Sequence, residues 1–118
     1  LSFELVEELK LLEPFGKGNP KPLFGEKNIP VVKAFKLGKN HNTLKLILKM
    51  KNGKTIEGLY FGNIDEFDRR MSEKFSQAEV SNMYKGISNN IRLDIAYTPD
   101  INEYMGYRNL QIMIYYYR

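Results

Sequence analysis

Residues 44–61 read LKLILKMKNGKTIEGLYF, and this stretch decides the fold class. Its first half alternates apolar side chains with mostly cationic ones, the period of two expected of a half-buried strand. Asn52-Gly53 follows as a strong hairpin-turn signal, so a return strand is expected over residues 54–61. Gly58 lies inside that strand, where a glycine usually marks a bulge, a sharp bend or a close backbone approach. The apolar face of the first of these two strands comprises Leu44, Leu46, Leu48 and Met50.

The same period continues toward the N-terminus. Residues 28–37 predict a first strand with Val31, Phe35 and Leu37 on one face. A turn over residues 38–42, which contains His41, separates it from the second strand. Three consecutive antiparallel strands are therefore expected before the pattern changes.

Helical signals follow the third strand. Asn63 can cap a helix, with Glu66 three residues later as in a capping box. Ser76 with Glu79 predicts a second, short helix that ends near Gly86. The apolar stripe of the first helix comprises Ile64, Phe67, Met71 and Phe75.

Alternation returns over residues 91–97 and again near the end of the chain. Thr98-Pro99-Asp100 predicts the start of a loop that reaches about Tyr107, because proline and aspartate favour turns. The last strand is expected to carry one apolar face, formed by Leu110, Ile112, Ile114 and Tyr116.

The resulting order is mainly β, with a helix between strands three and four. This order predicts an OB-fold, a five-stranded antiparallel Greek-key barrel. An SH3-like barrel is the competing interpretation, but it usually lacks an amphipathic helix at that place. A short N-terminal helix is expected over residues 2–12, where Ser2 can cap and Pro14 stops it.

Residues 12–24 read LEPFGKGNPKPLF and contain a Gly-Lys-Gly that resembles a phosphate loop. A Walker loop needs a strand before it and a helix after it, whereas this segment follows a helix and precedes two prolines. Three prolines fix φ and remove amide donors. The segment is therefore predicted to be a stiff connector, and it divides the chain into residues 1–22 and a barrel domain over residues 23–118.

Composition and charge narrow the function classes. The 118 residues are 42% hydrophobic and include no cysteine, so a folded core is expected and thiolate chemistry is excluded. No apolar run approaches the roughly 20 residues that span a bilayer, so no membrane partner is expected. Residues 17–54 contain ten lysines and one acid, a local charge of +9, whereas residues 55–118 carry −2 from seven basic and nine acidic residues. This asymmetry indicates a polyanionic partner on one side of the molecule, although lysine-rich strands can also serve solubility alone.

The residues do not predict a catalytic or metal site. One histidine and no cysteine cannot form a zinc site, and no Ser/His/Asp order is convincing. The acidic group at residues 65–68 suits a helix N-terminus, where carboxylates favour the dipole. No catalytic residue, metal ligand or cofactor is therefore assigned to this chain.

Lysines beside aromatic side chains are typical of proteins that bind single-stranded nucleic acid, because cations follow the backbone while bases stack on rings. His41 is a further candidate because it lies among lysines in a turn that borders the ligand face of OB-folds. The tyrosines at 104 and 107 fall in the predicted loop between the last two strands. The predicted nucleic-acid contacts are Lys33, Lys36, Lys39, His41, Lys45, Tyr60, Tyr104 and Tyr107.

The connector motif, together with the turn at residues 38–41, the strand end Tyr60-Phe61-Gly62 and Leu110-Gln111, resembles one known family. These residues are similar to the C-terminal OB domain of RecJ-type exonucleases, which belong to the DHH phosphoesterase superfamily. The resemblance covers essentially the whole chain. It implies that residues 1–13 are the tail of a DHH-associated core domain.

The resemblance also implies a parent hydrolase that degrades single-stranded DNA from its 5′ end with Mn²⁺ or Mg²⁺, in cytoplasmic recombination and repair. The metal-binding Asp and His motifs of that family lie upstream and have no counterpart here. The expected partners are single-stranded DNA, the chain's own upstream catalytic core and a single-strand-binding protein. A protein-docking OB module without direct nucleic-acid binding is the alternative, and nothing in the residues distinguishes DNA from RNA.

Overall fold

A computed structural model of the protein describes Leu5, Glu8 and residues 23–118, apart from the side chains of Asn102 and Tyr104. Leu5 and Glu8 are helical. The rest of the predicted N-terminal helix and nearly all of the predicted connector lie outside the described residues. The division of the chain at residue 22 therefore stays a prediction.

Five strands and two helices make up the described part of the chain. The strands are β1 (Phe24–Leu37), β2 (Thr43–Lys49), β3 (Thr55–Tyr60), β4 (Arg92–Tyr104) and β5 (Tyr107–Tyr117). The helices α1 (Ile64–Lys74) and α2 (Gln77–Lys85) lie between β3 and β4.

The strands close into an OB-like barrel in the order β1-β2-β3-β5-β4, and β4 pairs back with β1. Four of the five pairings are antiparallel, but β3 and β5 run parallel. The prediction of a purely antiparallel barrel is therefore wrong. A parallel pair needs a long crossover, and the chain supplies one through both helices and β4 before it returns beside β3.

The interior of the barrel is apolar, as the alternation of β2 predicts. Leu44, Leu46 and Leu48 are almost completely buried. Gly58 faces the same interior, and a Cβ there would lie 2.8 Å from Ile114 Cδ1 and 3.1 Å from Leu48 Cδ1. Of the three explanations for this glycine, the structure supports a close approach, because no side chain fits between these neighbours.

The predicted face of β1 is wrong beyond Val31. The pairing with β2 passes from Val31 opposite Leu48 to Lys33 opposite Ile47, so Val32 is an extra residue that forms a bulge. A bulge shifts the alternation by one position. Ala34 consequently faces the core, Phe35 turns to the outer surface and Leu37 is exposed.

The predicted loop between the last two strands is also wrong. β4 and β5 continue as a two-stranded hairpin, here called the arm, from Pro99 opposite Ile112 to Tyr104 opposite Tyr107. Pro99 is tolerated because β1 pairs with β4 only as far as Tyr97 in the described residues, which leaves Pro99 on an edge. Met105 and Gly106 both have positive φ, as a two-residue type I′ turn requires.

The two helices begin at the residues that the sequence predicts. The Asn63 side chain accepts a hydrogen bond from the Glu66 amide at 2.9 Å, and Ser76 Oγ accepts one from the Glu79 amide at 3.1 Å. The second helix ends at Gly86, whose φ of +74° is left-handed. Through Phe67 and its apolar stripe, α1 packs on the barrel core.

The run Tyr115-Tyr116-Tyr117 contains a second bulge. Tyr97 pairs with Ile114 and Ala96 pairs with Tyr116, so Tyr115 has no opposite residue. Tyr117 therefore enters the main core beside Phe67, whereas Tyr116 packs in a separate cluster with Leu5 and Leu23. The predicted face of β5 is thus wrong at both ends, because Leu110 is exposed on the arm and Tyr116 lies outside the barrel core.

Asp94 joins three separate parts of the barrel. Its Oδ1 accepts a hydrogen bond from the amide of Asn28 at 2.8 Å, at a position of β1 with positive φ. Its Oδ2 accepts one from Arg118 Nε at 2.9 Å. Burial opposes ionisation, but these two hydrogen bonds and the charge of Arg118 together lower the pKa of Asp94.

Candidate functional site

Four strands present a mixed cationic and apolar surface on the outside of the barrel. In the strand register, Phe35 on β1 is opposite Lys45 on β2, Lys45 is opposite Leu59 on β3, and Leu59 is beside Met113 on β5. All four side chains are partly buried. This row and the residues beside it, Lys33, Phe61 and Tyr115, are called the outer face.

Two of the predicted lysines lie beside one aromatic ring. Lys33 Nζ is 4.6 Å and Lys45 Nζ is 5.2 Å from the ring centroid of Phe35, within the range of cation–π attraction. Lys45 also lies 3.5 Å from Glu57 on the neighbouring strand. The Val32 bulge creates this arrangement, because it turns Phe35 outward and places it between the two lysines.

Lys36 projects from the opposite side of β1 and contacts the helices. Its Nζ lies 2.8 Å from Asp68 Oδ2 and 5.0 Å from the ring centroid of Tyr84. The Tyr84 hydroxyl donates to Asp68 Oδ1 at 2.5 Å. Burial and this hydrogen bond raise the pKa of Tyr84, so its hydroxyl keeps the proton that it donates.

The turn between β1 and β2 holds two further predicted contacts, Lys39 and His41. Lys39 and His41 are exposed, and the His41 amide donates to the Gly38 carbonyl at 3.1 Å. Lys39 has no ion-pair partner among the described residues. Here the turn meets the start of α1 and encloses a groove of about 560 Å³, called the rim groove, lined by Lys36, Asn40, His41, Asn42, Phe61, Gly62, Ile64 and Asp65.

A second groove of about 310 Å³ adjoins the first one. It is called the tyrosine groove, and its lining includes Phe61, Gly62, Met113 and Tyr115. Phe61 and Gly62 line both grooves. The rim groove is thus mostly polar and the tyrosine groove mostly apolar, and they meet at one exposed phenylalanine.

Tyr60 is nearly buried, although it also lines part of the tyrosine groove. Only 8% of its surface is exposed. Its ring packs edge-on against Tyr117, with the centroids 5.3 Å apart. The residue lies on the inward face of β3, as its pairing with Leu44 requires, and its contact with nucleic acid stays a prediction.

The two predicted arm tyrosines lie at the other end of the barrel. Since β3 and β5 are parallel, the start of β5 is on the side of the β2–β3 turn, away from the turn that holds His41. Tyr107 is 74% exposed, and the backbone of Tyr104 pairs with it. The structure therefore brings Lys33, Lys36, Lys39, His41 and Lys45 to one region and places the arm tyrosines beyond the opposite edge.

Three aromatic residues of the outer face were absent from the predicted contacts. Phe35 was assigned to the core because the Val32 bulge is invisible in a period-two pattern. Phe61 was interpreted only as the end of a strand. Its position directly before the turn residues Gly62-Asn63 could have indicated an exposed aromatic side chain. Tyr115 falls on the face of the predicted last strand opposite Ile112 and Ile114, so strand alternation was a usable signal for its exposure.

The described residues contain no group of three or more His, Asp or Glu side chains that could hold a metal ion. None of the helices there is both long and apolar enough to cross a membrane.

The chain matches a known protein family. The model of a family described as the RecJ OB domain matches residues 1–116 of the chain. No curated protein matches the chain.

Proposed function

Because the chain belongs to the RecJ OB domain family, we propose that it is the single-stranded-DNA-binding module of a RecJ-like 5′–3′ exonuclease. In this proposal the OB-like barrel has the Greek-key topology of an OB-fold. It holds and orients a strand for an upstream nuclease core that uses Mn²⁺ or Mg²⁺ in the cytoplasm, in DNA repair and recombination. A single-strand-binding protein is a further proposed partner.

The observation that carries the proposal is the position of Lys33 and Lys45 beside the partly buried ring of Phe35 on the outer face. A single strand offers phosphates at regular intervals and bases that can stack on rings. Two ammonium groups beside one ring match that alternation without reading base identity. Lys39 in the adjoining turn extends the positive surface, and the exposed imidazole of His41 lies close to it in sequence.

The lysines have different roles in this mechanism. Lys33 and Lys39 have no carboxylate partner among the residues that the structure describes, so they contact phosphate directly. Lys45 exchanges Glu57 for a phosphate when the strand binds. Lys36 is held by Asp68 and contributes mainly long-range attraction. Tyr107 on the arm contacts the strand where it leaves the outer face.

Fluorescence anisotropy with a labelled dT oligonucleotide across a NaCl series tests this proposal. We expect log Kd to rise linearly with log salt, because each neutralised phosphate releases counterions. The double substitution Lys33→Gln/Lys45→Gln should flatten the slope by about one to two phosphate equivalents. Lys51→Gln/Lys54→Gln removes the same charge at the β2–β3 turn and serves as the matched control.

Three outcomes would overturn the proposal: affinity that ignores salt, tighter binding to duplex than to single strand, or equal effects of the two double variants. The alternative function, protein docking, is favoured by one observation. Ile101, Met105 and Leu110 on the arm are all more than half exposed. If the DNA affinity survives Lys33→Gln/Lys45→Gln while association with the nuclease core is lost on Leu110→Ser, the chain is a docking module.

A further inference from the structure

Phe61 occupies an unusual position at the junction of the two grooves. It directly follows β3, is 59% exposed, and lines both the rim groove and the tyrosine groove. An exposed phenylalanine ring that lines two grooves offers aromatic surface to a ligand group in each of them. A ligand that occupies both grooves would therefore contact Phe61 from each of them.

The backbone around Phe61 holds the ring at this place. Tyr60 points into the core and Phe61, the next residue, points outward, as strand alternation requires. Gly62 follows, and a Cβ at that position would lie 2.1 Å from the Tyr60 hydroxyl oxygen. Tyr60 is buried and cannot move aside. A side chain at position 62 would therefore displace either the core tyrosine or the turn that carries Phe61.

The two grooves differ in chemistry. The rim groove is lined by Lys36, whose ammonium pairs with Asp68, by the imidazole of His41 and by the amides of Asn40 and Asn42. The tyrosine groove has Met113 and Tyr115, without charge. The polar groove suits a base together with its phosphate, and the apolar groove suits a base alone. Asp65 on the rim groove repels phosphate from that edge and leaves it to a base edge or sugar hydroxyl.

We propose that Phe61 inserts between two consecutive bases of the bound strand, with one base in each groove. This inference rests on the proposed function and adds the site at which the strand is unstacked. One face of the ring stacks on the base in the rim groove, whose phosphate lies near Lys36 and His41. The other face stacks on the base that packs against Tyr115. Such a wedge keeps the strand extended and favours single-stranded DNA over duplex, because insertion into a duplex must also unstack and kink paired bases.

The test compares dT10 with an abasic deoxyribose-phosphate strand of the same length, for the 118-residue chain and three variants. Phe61→Ala removes the ring, Phe61→Trp keeps an aromatic face, and Ile87→Ala is an exposed control that lies off the arm and lines neither groove. We expect Phe61→Ala to weaken binding of dT10 about 10- to 100-fold, the range for the loss of stacked bases. Binding of the abasic strand and the salt slope should stay unchanged, and Phe61→Trp and Ile87→Ala should behave like the parent chain.

A second readout reports the separation of the bases. Two adjacent 2-aminopurines inside a short dT strand give an exciton circular-dichroism signal while they are stacked. The parent chain should abolish that signal, and Phe61→Ala should preserve it at saturating protein. Equal signals for both proteins would overturn the wedge.

The outcomes separate this inference from the proposed function. If the parent chain binds neither strand, single-stranded-DNA binding itself fails. If the parent chain binds with a steep salt slope but Phe61→Ala keeps the full preference for dT10 over the abasic strand, only the role of Phe61 is overturned. Each substituted side chain is more than half exposed, so we expect unchanged urea midpoints for all three variants. Unchanged midpoints would show that any loss of binding is not caused by unfolding.

Discussion

The ammonium of Lys36 lies 2.8 Å from a carboxylate oxygen of Asp68, across the junction of β1 and α1. The cation nearest the rim groove is therefore already compensated before any polyanion arrives. The same carboxylate accepts a hydrogen bond from the Tyr84 hydroxyl, so one acid connects a strand to both helices.

Substitution of Asp68 should change stability and DNA binding in opposite directions. Asp68→Asn weakens the contact with Lys36 and the hydrogen bond from Tyr84, and we expect a loss of about 1–2 kcal/mol in the free energy of unfolding. The freed Lys36 should strengthen binding of dT10 several-fold at low salt. Urea denaturation and anisotropy measure the two effects. Glu73→Gln removes a charge from the exposed side of the same helix and should change neither quantity by a comparable amount.

Asp94 should give a pH-dependent contribution to stability. Its folded-state pKa is lowered from the usual 3.8, so its contribution is present above that value and is lost as the pH falls through the folded-state pKa. Asp94→Asn should therefore destabilise the chain by about 1–2 kcal/mol at pH 7, and the difference from the parent should shrink below pH 4. Urea midpoints at several pH values measure this.

The matched control for that experiment is Glu103→Gln on the arm. Glu103 and Arg108 form an exposed ion pair at 3.0 Å, and such pairs contribute little. A constant effect of Asp94→Asn from pH 7 to pH 3 would show that its carboxylate is not the source of the stability.

Gly58→Ala should destabilise the barrel by overpacking, by about 1–3 kcal/mol. The new methyl group would meet Ile114 Cδ1 first, at 2.8 Å. Ile114→Val deletes that atom and leaves space, so the double variant should be more stable than the sum of the two single effects predicts. Strict additivity in thermal or urea unfolding would contradict a close contact between these residues.

Tyr107→Ala tests the arm without disturbing the barrel. The side chain is 74% exposed, so we expect the free energy of unfolding to change by less than about 0.5 kcal/mol. Affinity for a strand long enough to reach beyond the outer face should fall about 5-fold or more, and affinity for a very short strand should not change. If both strands lose affinity equally, Tyr107 does not lie at the end of the DNA path.

Local patterns in the sequence predict most of this fold because they act over a few residues. The β2–β3 hairpin, both helix caps and the closing glycine at 86 depend on neighbours in the chain, and all are confirmed. The bulges at Val32 and Tyr115 depend on how strands meet across the barrel. A period-two pattern cannot reveal them, and each one reverses which side chains face the core.

In the candidate site, too, features that depend on local sequence could be predicted, and features that depend on how strands pair could not. The lysines could be identified from charge alone, because their exposure does not depend on a precise register. Phe35 could not, since one extra residue in β1 decides whether it is core or surface. The parallel pairing of β3 with β5 also has no local signal, and it is what separates Tyr107 from the turn that carries His41.

The bulge in β5 gives three adjacent tyrosines three different environments. Tyr115 is 36% exposed, whereas Tyr116 and Tyr117 are 5% and 2% exposed. A phenol-directed reagent such as tetranitromethane should therefore modify the first ring and spare the next two. Modification of Tyr115 therefore reports on access to the edge of the tyrosine groove. Modification of Tyr116 or Tyr117 in the same peptide would instead show that the fold has opened.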